Sequence, residues 1–122
     1  MSEQKLKVIV KSISLMNDIM SVTSNRKRFP VKYVILVNRI QEKCMDIYEY
    51  LMDANRTDVV ANKVIRNELQ TKAVTACDKL SCYIELSMNQ NLISTGLVEN
   101  LQKKIDDIKY MTIAWRSKDK NR

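Results

Sequence analysis

Histidine is the side chain most often used for general acid–base work, and the 122 residues of this chain contain none. Neither a Ser-His nor a Cys-His nucleophile pair can therefore be assembled, and the common zinc sets that use histidine are excluded. A single glycine, Gly96, rules out a glycine-rich phosphate loop. The three cysteines, Cys44, Cys77 and Cys82, are odd in number and sit mid-helix, which argues against a disulfide framework. Cys77 and Cys82, five positions apart, diverge by about 140° around a helix, and all three read as buried reduced thiols. The carboxylates supply two pairs, Asp106-Asp107 and Glu42/Asp46. The second shares a helix face at i, i+4 and could meet a metal with help from another helix. No Glu-x-x-His motif completes a di-iron site, however, and Arg39 and Lys43 are closer salt partners. The expectation is a protein that is not an enzyme and needs no cofactor.

Charge points elsewhere. Lysine and arginine total 21 against 14 acidic residues, a formal charge of +7. Such a bias permits binding to nucleic acid, an acidic partner or an anionic membrane surface. No apolar run approaches the roughly 20 residues that span a bilayer, and Met1-Ser2-Glu3-Gln4-Lys5 lacks the apolar run of a secretory signal. A cytoplasmic protein with no membrane partner is expected.

The elements that must position these charges read as helices. One glycine and one proline leave little material for the turns of a β-rich fold. After Arg26-Lys27-Arg28-Phe29-Pro30, the residues Tyr33, Val37, Ile40, Cys44, Ile47, Leu51 and Ala54 recur at steps of four and three, one stripe of a helix. Pro30 suits a first helical turn, and Asn55 a helix end. The same spacing runs through Leu6, Ile9, Ile13, Met16 and Met20, flanked by Val8, Leu15 and Val22. It recurs through Leu69, Ala73, Ala76, Leu80, Tyr83 and Ser87, with Cys77 and Ile84 beside them, and through Val98, Leu101, Ile105, Ile108, Thr112 and Trp115. Caps are expected from Thr57 or Asp58 and from Ser94. The helices are placed at 5–22, 30–55, 58–88 and 95–117, with an irregular start or kink over 59–65 and a fraying tail over 117–122. Four amphipathic helices with short links predict a single all-α domain, an antiparallel up-down-up-down four-helix bundle.

Alternating direction would gather basic residues at two ends. One end holds Lys5, Lys7, Arg56, Lys63, Arg66, Arg116, Lys118, Lys120 and Arg122, diluted by Glu3, Asp53, Asp58 and Asp119. The other holds Arg26, Lys27 and Arg28. Either end could contact phosphates, and these twelve basic residues are the candidate nucleic-acid-binding set. Tyr48, Tyr110 and Trp115 could stack on bases, although aromatics at helical spacing are more often core. The methionines fall mostly on apolar stripes and read as packing.

Three segments carry a family resemblance: Lys27-Arg28-Phe29-Pro30-Val31-Lys32-Tyr33 leading into Asn38-Arg39-Ile40, then Ala54-Asn55-Arg56, then Ile108-Lys109-Tyr110-Met111-Thr112-Ile113-Ala114-Trp115-Arg116. They resemble a bacterial four-helix-bundle family. It includes the accessory variability determinants (Avd) of diversity-generating retroelements and the proteins encoded in ribosomal-RNA intervening sequences. The Avd branch implies a homopentamer of four-helix protomers. It also implies a basic surface that binds RNA and/or DNA, and association with the element's reverse transcriptase, which does the chemistry. The other branch implies a non-catalytic helical oligomerisation or scaffold protein.

Overall fold

A computed structural model describes residues 3–121, with side chains described from Lys7 onward. Helix α1 covers Glu3–Thr23, a single 3-10 turn Val31–Tyr33 leads into α2 at Val34–Arg56, α3 covers Lys63–Asn89 and α4 covers Thr95–Lys120. No strand occurs among the described residues, and the four helices share one core. The molecule is an all-α four-helix bundle.

Directions follow from which side chains meet. Lys63 reaches the carbonyl of Lys120, Arg116 bonds Thr71, Lys109 pairs with Asp78, and Gln102 and Ser81 bond each other, so α3 and α4 point opposite ways. Lys11 pairs with Asp107 and Asp18 with Lys104, which sets α1 against α4 in the same sense.

The core is a set of heptad-like seams. Ile40, Cys44, Ile47, Leu51 and Ala54 of α2 are buried, as are Val98, Leu101, Ile105, Ile108, Thr112 and Trp115 of α4. Steps of four and three keep each seam facing its neighbours at a shallow crossing angle. Ala73 and Ala76 of α3 are buried in the same core. Helix α1 departs from the expected stripe. Its buried set is Val8, Ile9, Ser12, Leu15, Ile19 and Thr23, while Ile13 lies exposed. Rotation onto the Val8–Leu15 flank is tolerable because the Ser12 hydroxyl donates to the Ile9 carbonyl at 2.6 Å and the Thr23 hydroxyl to Ile19 at 2.7 Å. Each buried hydroxyl is thus satisfied within its own helix.

The connections correct several boundaries. Pro30 precedes the helix in an extended conformation (ψ 157°) rather than opening it, and α2 proper starts four residues later. Asn55 stays helical, and the end of α2 falls at an extended Thr57. Asp58 caps only an isolated turn, its carboxylate accepting from the Ala61 N–H at 2.7 Å, so α3 begins at Lys63 rather than 58. Ser94 does cap α4, accepting from the Leu97 N–H at 3.2 Å. The left-handed residue of the last connection is Asn91 (φ 60°), whereas Gly96 lies inside the first turn of α4 with no positive φ.

Candidate nucleic-acid interface

The two basic ends are built differently. At the end formed by the α2–α3 connection and the last turns of α4, much of the charge is consumed internally. Arg66 is only 3% exposed and does not face solvent. Its Nε lies 2.7 Å and its Nη2 3.1 Å from the two oxygens of Asp119, while its Nη1 donates to the Thr57 carbonyl at 3.1 Å. The guanidinium also stands 5.1 Å from the centre of the Trp115 ring. Gln70 completes the cluster, its Nε2 donating to Asp119 at 2.8 Å. Arg66 is therefore withdrawn from any phosphate-contacting set. Asp119, expected in a fraying tail, is 4% exposed and holds the end of α4 down through Lys120.

The neighbours are similarly engaged. Lys63 donates to the carbonyl of Lys120 at 3.3 Å, as suits a cation near a helix C-terminus. Arg116 is half-buried along α3, bonded to the Thr71 hydroxyl at 3.1 Å. Arg56 is exposed but shares a concavity with Glu49 and Asp53. Lys7, Lys118 and Lys120 are exposed there. The side chain of Lys5, and Arg122 as a whole, lie outside the described residues.

At the opposite end, Arg26, Lys27 and Arg28 are all exposed, on a hydrogen-bonded connection. The Asn25 carboxamide oxygen accepts from the N–H groups of Lys27 (3.0 Å) and Arg28 (3.3 Å). The Asn25 carbonyl accepts from Arg28 (3.1 Å) and Phe29 (2.9 Å). Phe29 is 3% exposed and plugs into the core immediately after the cations. From behind, Gln41 of α2 donates to the Thr23 hydroxyl at 2.9 Å, tying the end of α1 to α2. Among the described residues no carboxylate comes within ion-pair distance of these three side chains. Three adjacent cations are thus displayed from a turn whose backbone N–H groups are bonded to Asn25.

Sequence reasoning missed what adjoins this turn. Val31, Val34 and Ile35 are 65, 52 and 75% exposed, a short apolar row beside the cations, with Lys32 among them. The uninterrupted apolar run Tyr33-Val34-Ile35-Leu36-Val37, wider than one helix face, was the available signal. Of the aromatics considered for stacking, Trp115 is buried under Arg66, Tyr48 is half-buried, and Tyr110 is exposed with Lys109 5.6 Å from its ring centre.

Burial pushes the Cys44 and Cys77 thiols up to about 12, with Asp18 adding to the effect at Cys44 and Asp78 at Cys77. Thiols held neutral in this way are poor nucleophiles; Cys82, by contrast, is exposed. Glu42 and Asp46 each lie 3.5 Å from the Lys43 ammonium, and Glu42 3.4 Å from Arg39. Among the described residues no three cysteine or carboxylate groups converge as a metal-binding cluster, and no helix is long and apolar enough to cross a membrane. Compared with protein-family models, curated proteins and solved structures, the chain matches none.

Proposed function

We propose that this protein is a nucleic-acid-binding accessory protein that works beside a reverse transcriptase, in the manner of the Avd proteins it resembles. The observation that carries the proposal is the Arg26-Lys27-Arg28 turn, whose three exposed cations have no carboxylate partner among the described residues. Cations presented from a hydrogen-bonded turn bind phosphates by releasing condensed counterions, a contribution independent of sequence. Specific hydrogen bonding to bases is not required of such a protein, because the transcriptase would carry the chemistry and the template its own sequence.

The exposed Val31 and Val34 support a protein partner on the same end, since exposed apolar side chains rimmed by charge are the usual material of interfaces. Further exposed apolar side chains at Val10, Ile13, Val60, Val64 and Ile65 fit self-association, for which the resemblance implies five copies.

The test is co-purification. The protein is tagged and co-expressed with a reverse transcriptase of a diversity-generating retroelement, and the oligomer mass is measured on the eluate. The proposal expects the transcriptase and RNase-sensitive material to be retained at low salt and released at high salt. An oligomer that retains neither would instead mark a helical scaffold of the intervening-sequence type.

A further inference from the structure

The face shared by α2 and α3 carries two concavities end to end. One, of about 270 Å³, lies between Lys43, Asp46 and Tyr50 of α2 and Lys72, Ala76 and Lys79 of α3. The other, of about 490 Å³ and mainly apolar, lies between Lys32, Tyr33, Ile35, Leu36 and Arg39 on one side and Tyr83, Leu86 and Gln90 on the other. Arg39 to Lys43 and Lys79 to Tyr83 are each a step of one helical turn, about 6 Å, so the two concavities abut in a single groove. From Lys32 to Tyr50 the groove runs for about 27 Å.

Its lining is unusual for this chain. Three of the five tyrosines, Tyr33, Tyr50 and Tyr83, lie in it, each half-buried with part of the ring against the core. Cations lie beside two of them: the Lys32 ammonium is 5.3 Å from the Tyr33 ring centre and the Lys72 ammonium 6.0 Å from that of Tyr50. Lys43 and Arg39 are paired with Glu42 and Asp46, but Lys32, Lys72 and Lys79 have no carboxylate within ion-pair distance among the described residues. Tyrosine rings with ammonium groups beside them at both ends of a groove suit a flexible polyanion whose flat bases are free to turn inward.

We propose that the α2–α3 groove is a track for single-stranded nucleic acid, with Lys32, Lys72 and Lys79 on phosphates and Tyr33, Tyr50 and Tyr83 against bases. The inference rests on the nucleic-acid reading of the Arg26-Lys27-Arg28 turn, which the groove meets at Lys32. It goes further in choosing single strands over duplex, whose paired bases cannot reach the tyrosines.

Fluorescence anisotropy tests it, with a labelled oligothymidylate of about twelve nucleotides and a duplex of the same length. The full-length protein is compared with Lys72→Glu/Lys79→Glu and with Arg26→Glu/Lys27→Glu/Arg28→Glu. Both variants change exposed residues, so folding is spared and is checked by helical circular dichroism. The groove variant is expected to lose at least about tenfold in affinity for the single strand and under about threefold for the duplex. A Tyr50→Leu/Tyr83→Leu variant that stays folded is expected to lose about fivefold or more on the single strand alone. If the groove variant binds the single strand like the wild type while the turn variant does not, the track is overturned and the nucleic-acid function stands. Equal losses on both probes also overturn the track. If the wild-type protein binds neither probe, both readings fall together.

Discussion

Replacing Asp119 with alanine should be among the most damaging single changes in this protein. The carboxylate accepts from Arg66 Nε at 2.7 Å, Arg66 Nη2 at 3.1 Å and Gln70 Nε2 at 2.8 Å, in a place where Arg66 and Asp119 are 3 and 4% exposed. Its removal strands a buried guanidinium, which typically costs about 3–5 kcal/mol. A carboxylate in the last turn of a helix opposes the helix dipole, so its loss returns about 0.5 kcal/mol. The net expectation is a destabilisation of about 3–4 kcal/mol, or a drop in melting temperature of about 12–16 °C for a chain of this length. Urea denaturation followed by helical circular dichroism measures it. The double replacement Arg66→Met/Asp119→Leu should cost much less than the sum of the two single changes, because no charge is then left buried. An Asp119→Ala protein within about 1 kcal/mol of the wild type would refute the reasoning, since the pair would then be solvated rather than sealed.

Other expectations follow from the same geometry. Ser94→Ala removes the side chain that accepts from the Leu97 N–H and should cost about 1 kcal/mol in urea denaturation. Gly96→Ala should stabilise by a few tenths to about 1 kcal/mol in the same assay, because an added Cβ meets nothing within 4 Å and the position is helical with no positive φ. At pH 8 a thiol-specific reagent should label Cys82 rapidly and reach Cys44 and Cys77 only on unfolding. Those two thiols sit at about 12 when folded against 9.0 unfolded, so above pH 9 the unfolded chain gives up protons that the folded one keeps. Their contribution to stability is intact below pH 9 and lost as pH rises from 9 to about 12. A Cys44→Val/Cys77→Val variant should show a shallower loss of stability over that window.

Much of the bundle was legible because apolar residues at steps of three and four have few other uses. The α4 stripe and the Ile40–Ala54 part of the α2 stripe are buried as their spacing predicts, while Tyr33 and Val37 at its start are half-buried. Polarity hid the rest. Extending the α4 seam one step beyond Trp115 lands on Asp119, and extending the α3 seam back from Ala73 lands on Gln70 and then Arg66, all three buried. Their charge and polarity assign them to the surface until each is given the others as partners. Ser12 misled in the same way: its hydroxyl is satisfied within α1, so it takes a core position while Ile13 faces outward. The candidate interface was half legible. Position along the chain sorts the cations into two ends, but only packing reveals that Arg66 is spent on Asp119 and Lys63 on Lys120 while Arg26, Lys27 and Arg28 stay exposed. The α2–α3 groove was not legible, because its lysines and tyrosines come from helices distant in sequence.

The central claim is that the Arg26-Lys27-Arg28 turn holds nucleic acid by its phosphates. Its most direct test is the salt dependence of RNA affinity for the wild type, for Arg26→Ala/Lys27→Ala/Arg28→Ala and for Lys118→Ala/Lys120→Ala. Each phosphate neutralised on a single strand contributes about 0.7 to the slope of log affinity against log salt. The turn variant should therefore lose about 2 from that slope, and the other variant much less. A turn variant that keeps the wild-type slope, or a wild type whose binding ignores salt, would contradict the claim.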